Sequence, residues 1–270
     1  MRQKIRVAAL QMNLHWHEAE KNRLAADQML AEFSQEIDLL LLPEMFTTGF
    51  SMSPAKIAET EQGPTVAWMQ QVAEARECVV GGSVIIEEGG NYFNRFLWVD
   101  KNGLQARYNK RHLFSMAGED GPYTAGTENV ILNIQGWKVM AQICYDLRFP
   151  VWSRNQVQAD GGLLYDLLIY VANWPRPRVR HWESLLHARA IENQAYVIGV
   201  NRVGEDPNGL SYSGSSMILD HMGDRMAYET ETPQLLQAEL DPAPMDRYRE
   251  KFPIWQDSDA FSIQELRLTS

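Results

Sequence analysis

The sequence predicts a layered α/β fold built on mixed sheets. Strands alternate with helices early in the chain, hairpin signals cluster in the middle, and apolar runs of strand length recur throughout. Two sheets packed face to face with helices outside satisfy every apolar run. A single larger sheet is the arrangement the pattern leaves open.

Ile5–Gln11 reads as the first strand. Residues 18–33 have helical spacing, with Leu24, Met29, Leu30 and Phe33 on roughly one side. Residues 37–42 form a short apolar run stopped by Pro43, which suits a buried strand. Pro64–Arg76 reads as a helix whose proline fits the first turn, and residues 79–86 follow as a strand. After a turn at residues 87–91, segments 92–99 and 105–108 alternate around Asn102-Gly103 as a meander. Segments 130–134 and 138–144 pair around Gln135-Gly136. Leu167–Ala172 is a strand, residues 181–194 a helix, and Tyr196–Asn201 a strand. Residues 215–219 and Gln234–Leu240 close the sheet region around a turn near Met222-Gly223-Asp224. Residues 242–270 read as a short helix and tail, packed on the body or on a second subunit. No linker, repeat or low-complexity segment interrupts the chain, so residues 1–270 read as one domain with 242–270 as its C-terminal extension.

Composition bounds the function. The 270 residues suffice for a sizeable core, and 45% hydrophobic with 22% charged residues is ordinary for a soluble globular chain. A net charge of −10 and a pI near 5.1 argue against nucleic acid as a partner, since phosphate binding wants a basic face. The first residues lack an apolar stretch of signal-peptide length. The most apolar segment, 163–174, is interrupted by Asp166 and too short to span a bilayer, so no membrane partner is expected. Two cysteines, Cys78 and Cys144, imply no disulfide framework and fit a reducing cytoplasm.

The chemistry starts at Cys144. It ends an apolar run and is followed by a turn, which puts a thiol at the carboxyl edge of a sheet, where layered α/β proteins tend to bind ligands. Taken alone, such a cysteine is more often a buried structural thiol. Two other segments reverse that reading: Leu42-Pro43-Glu44 delivers a carboxylate at a strand end, and Asn109-Lys110 opens a polar loop with an ammonium group. A nucleophile, a carboxylate and a cation at element boundaries are the parts acyl transfer needs.

Three motifs in order, Leu42-Pro43-Glu44-Met45-Phe46, Tyr108-Asn109-Lys110-Arg111-His112-Leu113 and Ile143-Cys144-Tyr145-Asp146-Leu147-Arg148-Phe149-Pro150, resemble the nitrilase superfamily of carbon–nitrogen hydrolases. Asn173-Trp174-Pro175 and the helix ending Arg189-Ala190-Ile191-Glu192-Asn193-Gln194 extend the likeness to about residue 240. The resemblance implies a four-layer αββα sandwich with two mixed sheets that forms a homodimer, and a Glu44-Lys110-Cys144 triad. It also implies a second acid on the loop after the lysine, for which Glu119 stands at the matching distance before Gly126, with Asp120 beside it.

These residue types suit the chemistry. A free thiol has a pKa of about 8.5 and attacks only as thiolate, so it needs a base or cation nearby. Glu44 can take that proton, hand it to the leaving nitrogen and later activate water. Lys110, beside two carboxylates, is held charged and is better suited to stabilising an oxyanion together with the backbone N–H of Tyr145. Glu119 orients Lys110 and the substrate nitrogen. No metal or organic cofactor is required. His112 invites a cysteine–histidine reading, yet the resemblance gives it a structural, hydrogen-bonding job. His15 and His17 have no third ligand of metal type near them in sequence. Arg189 and Glu192, at helical i,i+3 spacing, suit a structural ion pair.

Within the superfamily the Cys144–Pro150 segment looks most like the omega-amidase branch, whose members hydrolyse the terminal amide of 2-oxoglutaramate and 2-oxosuccinamate to a 2-oxo dicarboxylic acid and ammonia. Arg148, just past the nucleophile, suits a bidentate clamp on the distal carboxylate, or else a structural pair with Asp146. Phe46, Phe50, Tyr123 and Trp174 are candidates for the pocket wall or for the core. Other amide, nitrile or N-carbamoyl hydrolases on this fold are the nearest alternatives. A non-catalytic scaffold, or a papain-like thiol enzyme, stands further off; the second lacks the glycines of a tight nucleophile elbow.

Overall fold

The structure, a computed structural model, describes residues 2–159 and 161–263. β1 (Ile5–Gln11) leads into α1 (Ala19–Ala31), β2 (Leu39–Leu41), α2 (Pro64–Arg76) and β3 (Val79–Glu88). A meander follows, β4 (Asn91–Asp100) and β5 (Gly103–Asn109), then the hairpin of β6 (Ile131–Ile134) and β7 (Trp137–Ile143). The short α3 (Pro150–Ser153) precedes β8 (Leu167–Ala172), α4 (Val179–Asn193), β9 (Tyr196–Asn201) and β10 (Val203–Glu205). β11 (Ser211–Leu219), β12 (Arg225–Thr230), β13 (Gln234–Leu240) and α5 (Pro242–Lys251) complete the described elements.

The strands form two mixed sheets. One runs β13-β1-β2-β3-β4-β5; the other runs β10-β11-β9-β8-β7-β6, with β12 paired to β11. Strand alternation sorts the side chains. Ile5, Val7 and Ala9 of β1 meet Val139, Ala141 and Ile143 of β7 in the core between the sheets. Ala8 and Leu10 face the other way, onto Leu30 of α1 and Met69 of α2. On the far side, Leu168 and Tyr170 of β8 pack under Trp182, Leu186 and Ala190 of α4. The order is helix, sheet, sheet, helix: the four-layer αββα sandwich, and not a single larger sheet.

One feature differs from the sequence reading. Residues 215–219 do not close on Gln234–Leu240. β11 turns at Asp220–Asp224 into β12, and β13 then crosses to the first sheet and pairs antiparallel with β1. β12 is a half-exposed strand with charged and apolar residues mixed, so it carries little periodic signal. In the C-terminal segment, α5 packs on the body: Arg249 bonds Asp166 and the Gln194 carbonyl. The tail expected over residues 264–270 lies outside the described residues.

Topology positions the site. β1, β2 and β3 are mutually parallel, and β5, two antiparallel steps from β3, runs the same way. The residues just past β2 and β5, Glu44 and Lys110, therefore emerge at one edge. β7, β8 and β9 are parallel in the second sheet and release Cys144, Asn173 and Arg202 past their ends.

Candidate active site

Glu44, Lys110 and Glu119 are fully buried and in contact. The Lys110 ammonium donates to Glu44 Oε1 at 2.9 Å and to Glu119 at 3.0 Å (Oε1) and 2.8 Å (Oε2). Asp120, the neighbouring acid, is exposed, so the loop presents Glu119 to the lysine. That loop closes tightly on β5. The Gly126 N–H donates to the Lys110 carbonyl at 2.9 Å, and a Cβ at 126 would stand 2.2 Å from the Asn109 carbonyl oxygen. A glycine is required there.

Two asparagines hold the carboxylates. Asn94 Nδ2 donates to Glu44 Oε1 at 2.8 Å and to Glu119 Oε1 at 3.2 Å. Its orientation is set by Ser83, whose hydroxyl donates to Asn94 Oδ1 at 2.9 Å and accepts from the Met45 N–H. The Asn173 backbone N–H donates to Glu44 Oε2 at 2.7 Å, while its side-chain amide donates to the Glu44 carbonyl. The sequence reading missed Asn94 and Ser83. Their signal was present: each is a polar residue in the middle of an apolar strand, which must be hydrogen-bonded if buried.

Cys144 is half-buried and opens a 3₁₀ turn, Cys144–Arg148, with φ of +47°. A left-handed conformation at a non-glycine residue is strained, by roughly 1–3 kcal/mol, and is typically held by its surroundings. Asp146 does the holding. Its Oδ2 accepts from the Ile143 N–H at 3.0 Å and from Tyr108 Oη at 2.8 Å; its Oδ1 accepts from the His112 N–H at 2.9 Å and from His112 Nδ1 at 2.8 Å. The elbow thus forms without glycines. A carboxylate oxygen only accepts, so His112 carries a proton on Nδ1. Its ring stacks on Phe149 at 3.8 Å, and the bonds place His112 in the support of the turn. Tyr145 lies in the first turn of that helix, where backbone N–H groups lack intrahelical partners.

Electrostatics around the sulfur come from the buried cluster. Burial pushes the Cys144 thiol well above its ordinary range, Glu44 pushes it further through its charge and a hydrogen bond, and Lys110 pulls against them. Lys110 is itself raised: burial opposes its charge, but Glu119 and Glu44 outweigh that. Burial pushes the Glu119 carboxyl up against the pull of Lys110. At neutral pH the thiol is therefore protonated beside a carboxylate that can accept its proton.

Above Cys144 opens a cavity of about 500 Å³, lined by Phe50, Tyr145, Arg148, Asn173 and Trp174 among others. Tyr123, expected at the wall, is not among the lining residues; its buried hydroxyl donates to the Ser51 carbonyl at 2.6 Å, behind the wall. Phe46, the other aromatic candidate, is core. Arg148 does not pair with Asp146, whose oxygens are taken. It lies over Trp174 at 4.7 Å and donates to His181 Nδ1 at 3.2 Å. Arg189 and Glu192 form the expected ion pair at 2.9 Å. His17, Arg178, Asp206 and Tyr212 also line the cavity, and no motif flagged them for that.

A thiol flanked by two carboxylates and a lysine is the equipment of an acyl-transfer enzyme with a cysteine nucleophile. The chain belongs to the carbon–nitrogen hydrolase family, whose profile matches residues 6–250. It is 47% identical to the omega-amidase YafV of Yersinia enterocolitica, over 96% of this chain and 98% of that one. It is 32% identical to the 2-oxoglutaramate amidase of Bacillus subtilis, over 93% and 96% of the two chains. A CN-hydrolase superfamily protein from Xanthomonas campestris, whose crystal structure carries an arsenic adduct in the active site, superposes with a TM-score of 0.94 at 38% identity, over 97% of this chain and 100% of that one.

Proposed function

We propose that this enzyme is an omega-amidase that hydrolyses the terminal amide of 2-oxoglutaramate or 2-oxosuccinamate through a Cys144 thioester. The observation that carries the chemistry is a thiol on the cavity wall together with the buried Glu44–Lys110–Glu119 cluster, whose charges act on it. The names of the bacterial relatives support the substrate class.

In the first half-reaction Glu44 accepts the thiol proton as sulfur bonds to the amide carbon. Negative charge moves to the carbonyl oxygen, where the Lys110 ammonium and the Tyr145 N–H stabilise it; one such donor is typically worth roughly 3–4 kcal/mol. Collapse breaks the C–N bond, and Glu44 returns the proton to the nitrogen, which leaves as ammonia. In the second half-reaction Glu44 takes a proton from water, the C–O bond forms, the C–S bond breaks, and the thiolate recovers its proton. Glu119 holds Lys110 in place, consistent with its two hydrogen bonds to the ammonium. Phe50, over which Lys110 lies at 5.2 Å, and Trp174 form apolar wall on either side, and Arg148 meets the substrate carboxylate. Tyr123 acts from behind, by holding the Ser51 backbone.

Among the described residues no helix is long and apolar enough to cross a membrane. The remainder of the proposal, a cytoplasmic homodimer of one catalytic domain over residues 1–270, rests on the superfamily resemblance and on the use of two free thiols.

The test is ammonia release from 2-oxoglutaramate by the wild type and by Cys144→Ala, with glutamine as the control amide. The expected result is release that disappears with the thiol and is far weaker with glutamine. No release from 2-oxoglutaramate by well-folded wild type overturns the substrate assignment and leaves the fold and family standing.

A further inference from the structure

We propose that Arg178 is a second guanidinium of the substrate site, and that with Arg148 it selects amides whose far end is a 2-oxo carboxylate. This rests on the omega-amidase reading and assigns its specificity to a residue outside the family motifs.

Arg178 lines the cavity that holds Cys144, as Arg148 does, and neither forms an ion pair with a described residue. The contrast with Arg176, two positions earlier, is direct: its guanidinium donates to Glu231 at 2.8 Å and is spent on the surface. Asp206 is the acid on the cavity wall, and it is already committed. Its Oδ1 accepts from the Asn208 and Leu210 N–H groups at 2.9 and 3.1 Å, and its Oδ2 from Tyr212 Oη at 3.0 Å.

Both guanidiniums are held by aromatic faces. Arg148 lies over Trp174 at 4.7 Å, and Arg178 over Phe114 at 5.7 Å. Stacking of this kind fixes the plane of the group while leaving its edge N–H donors for a planar acceptor. The backbone is fixed as well: the Trp174 indole N–H donates to the Arg178 carbonyl at 2.8 Å, tying the two walls together. The wall of the cavity that holds Cys144 therefore presents two guanidiniums stacked on aromatic faces and without a direct ion pair, with Asp206 tied to its own loop.

A 2-oxo carboxylate matches such a wall. It is planar, it carries one negative charge, and its ketone oxygen adds an acceptor beside the carboxylate, so two forks can engage it at once. A 2-amino acid amide such as glutamine brings an ammonium group to the same place. There it meets two like charges in a partly desolvated cavity, which disfavours binding. The pair thus selects for the keto acid amide and against the amino acid amide.

The experiment compares wild type and Arg178→Gln on 2-oxoglutaramate, pentanamide and glutamine, with thermal melts to confirm folding. The substitution leaves the backbone carbonyl that holds Trp174 in place. The expected result is a wild-type preference for 2-oxoglutaramate over pentanamide that falls by roughly 10- to 100-fold in kcat/KM ratio, carried by KM, as loss of a charge-assisted hydrogen bond predicts. Arg178→Lys retains part of the preference, and the discrimination against glutamine narrows in Arg178→Gln. A preference unchanged in Arg178→Gln, or a parallel loss on all amides, overturns the proposal while leaving the omega-amidase reading intact. A wild type without preference for 2-oxoglutaramate overturns both.

Discussion

Two buried carboxylate clusters flank Cys144, and their difference separates support from chemistry. Asp146 is surrounded by donors that stay where they are: two backbone N–H groups, a phenol and an imidazole N–H. Those bonds tie down the left-handed turn at the nucleophile. Glu44 is also held by donors, but it shares a lysine with a second carboxylate and influences the thiol directly. Two acids share one base here, all three fully buried. Saturation with fixed donors makes a brace; an unbalanced cluster beside a nucleophile makes a reactive site. The histidine belongs to the brace.

The largest predicted effects break this comparison if they fail. Glu44→Gln removes the proposed proton acceptor and should lower kcat by roughly 10⁴-fold or more, as loss of one member of a catalytic unit does. Lys110→Ala removes one proposed oxyanion donor and should cost about 10²–10³-fold in kcat, measured at saturating substrate. His112→Ala should cost less than about tenfold in kcat but about 1–3 kcal/mol of stability, since Asp146 loses a donor and Phe149 its stacking partner. If His112→Ala abolishes turnover while Glu44→Gln does not, the two clusters exchange roles and the enzyme works as a cysteine–histidine pair.

Thiol reactivity sharpens the same contrast. Burial and Glu44 raise the Cys144 thiol, so alkylation at neutral pH should be slow and should accelerate on the alkaline side. Glu44→Gln takes away a negative neighbour, which moves the alkylation profile to lower pH even as turnover disappears. The sign follows because a carboxylate beside a thiol favours the uncharged form. Cys78, pushed up to about 12 by burial, contributes little, so iodoacetamide uptake in the folded protein reports Cys144. A profile unmoved by the substitution would place Glu44 out of electrostatic reach of the sulfur.

Much of this was legible in the sequence because the informative residues stand at element boundaries. Glu44, Lys110 and Cys144 each follow a strand end, so locating strands β2, β5 and β7 locates the residues. The apolar runs suited two covered sheets but left a single larger sheet open, and the four-layer order came from the superfamily resemblance. The crossing of β13 to the first sheet was not legible, because pairing partners are a tertiary choice and β12 lacks alternation. The cavity walls were legible in part: Phe50, Arg148 and Trp174 were candidates from the sequence and line the cavity. Tyr123 and Arg178 both look like ordinary loop residues; only the folded chain shows that one bonds the Ser51 carbonyl from behind and the other faces the opening. Glu119 was preferred to Asp120 by its distance before Gly126, and the structure adds that the backbone turns Glu119 toward Lys110 and leaves Asp120 exposed.

The smallest predicted effect tests whether the brace acts on the chemistry. Tyr108 Oη donates to Asp146 and accepts from Trp152 Nε1 at 3.0 Å and from the Arg111 N–H at 3.2 Å. Burial, and then Asp146, raise this phenol well above its ordinary range, so it remains a donor at any pH the fold tolerates. Tyr108→Phe deletes the hydroxyl and keeps the ring in the core between the sheets. Asp146 retains its other bonds, but Trp152 Nε1 and the Arg111 N–H lose their acceptor, so the expected cost is about 2–4 kcal/mol, a drop of several degrees in melting temperature, with kcat/KM within a few-fold of wild type. A melting point that falls while the rate holds means the turn at Cys144 is over-determined and tolerates losing one support. A rate that falls as far as in Lys110→Ala, with little change in melting, would mean that Asp146 positions the sulfur through Tyr108, and that the distinction between brace and reactive cluster is too sharp.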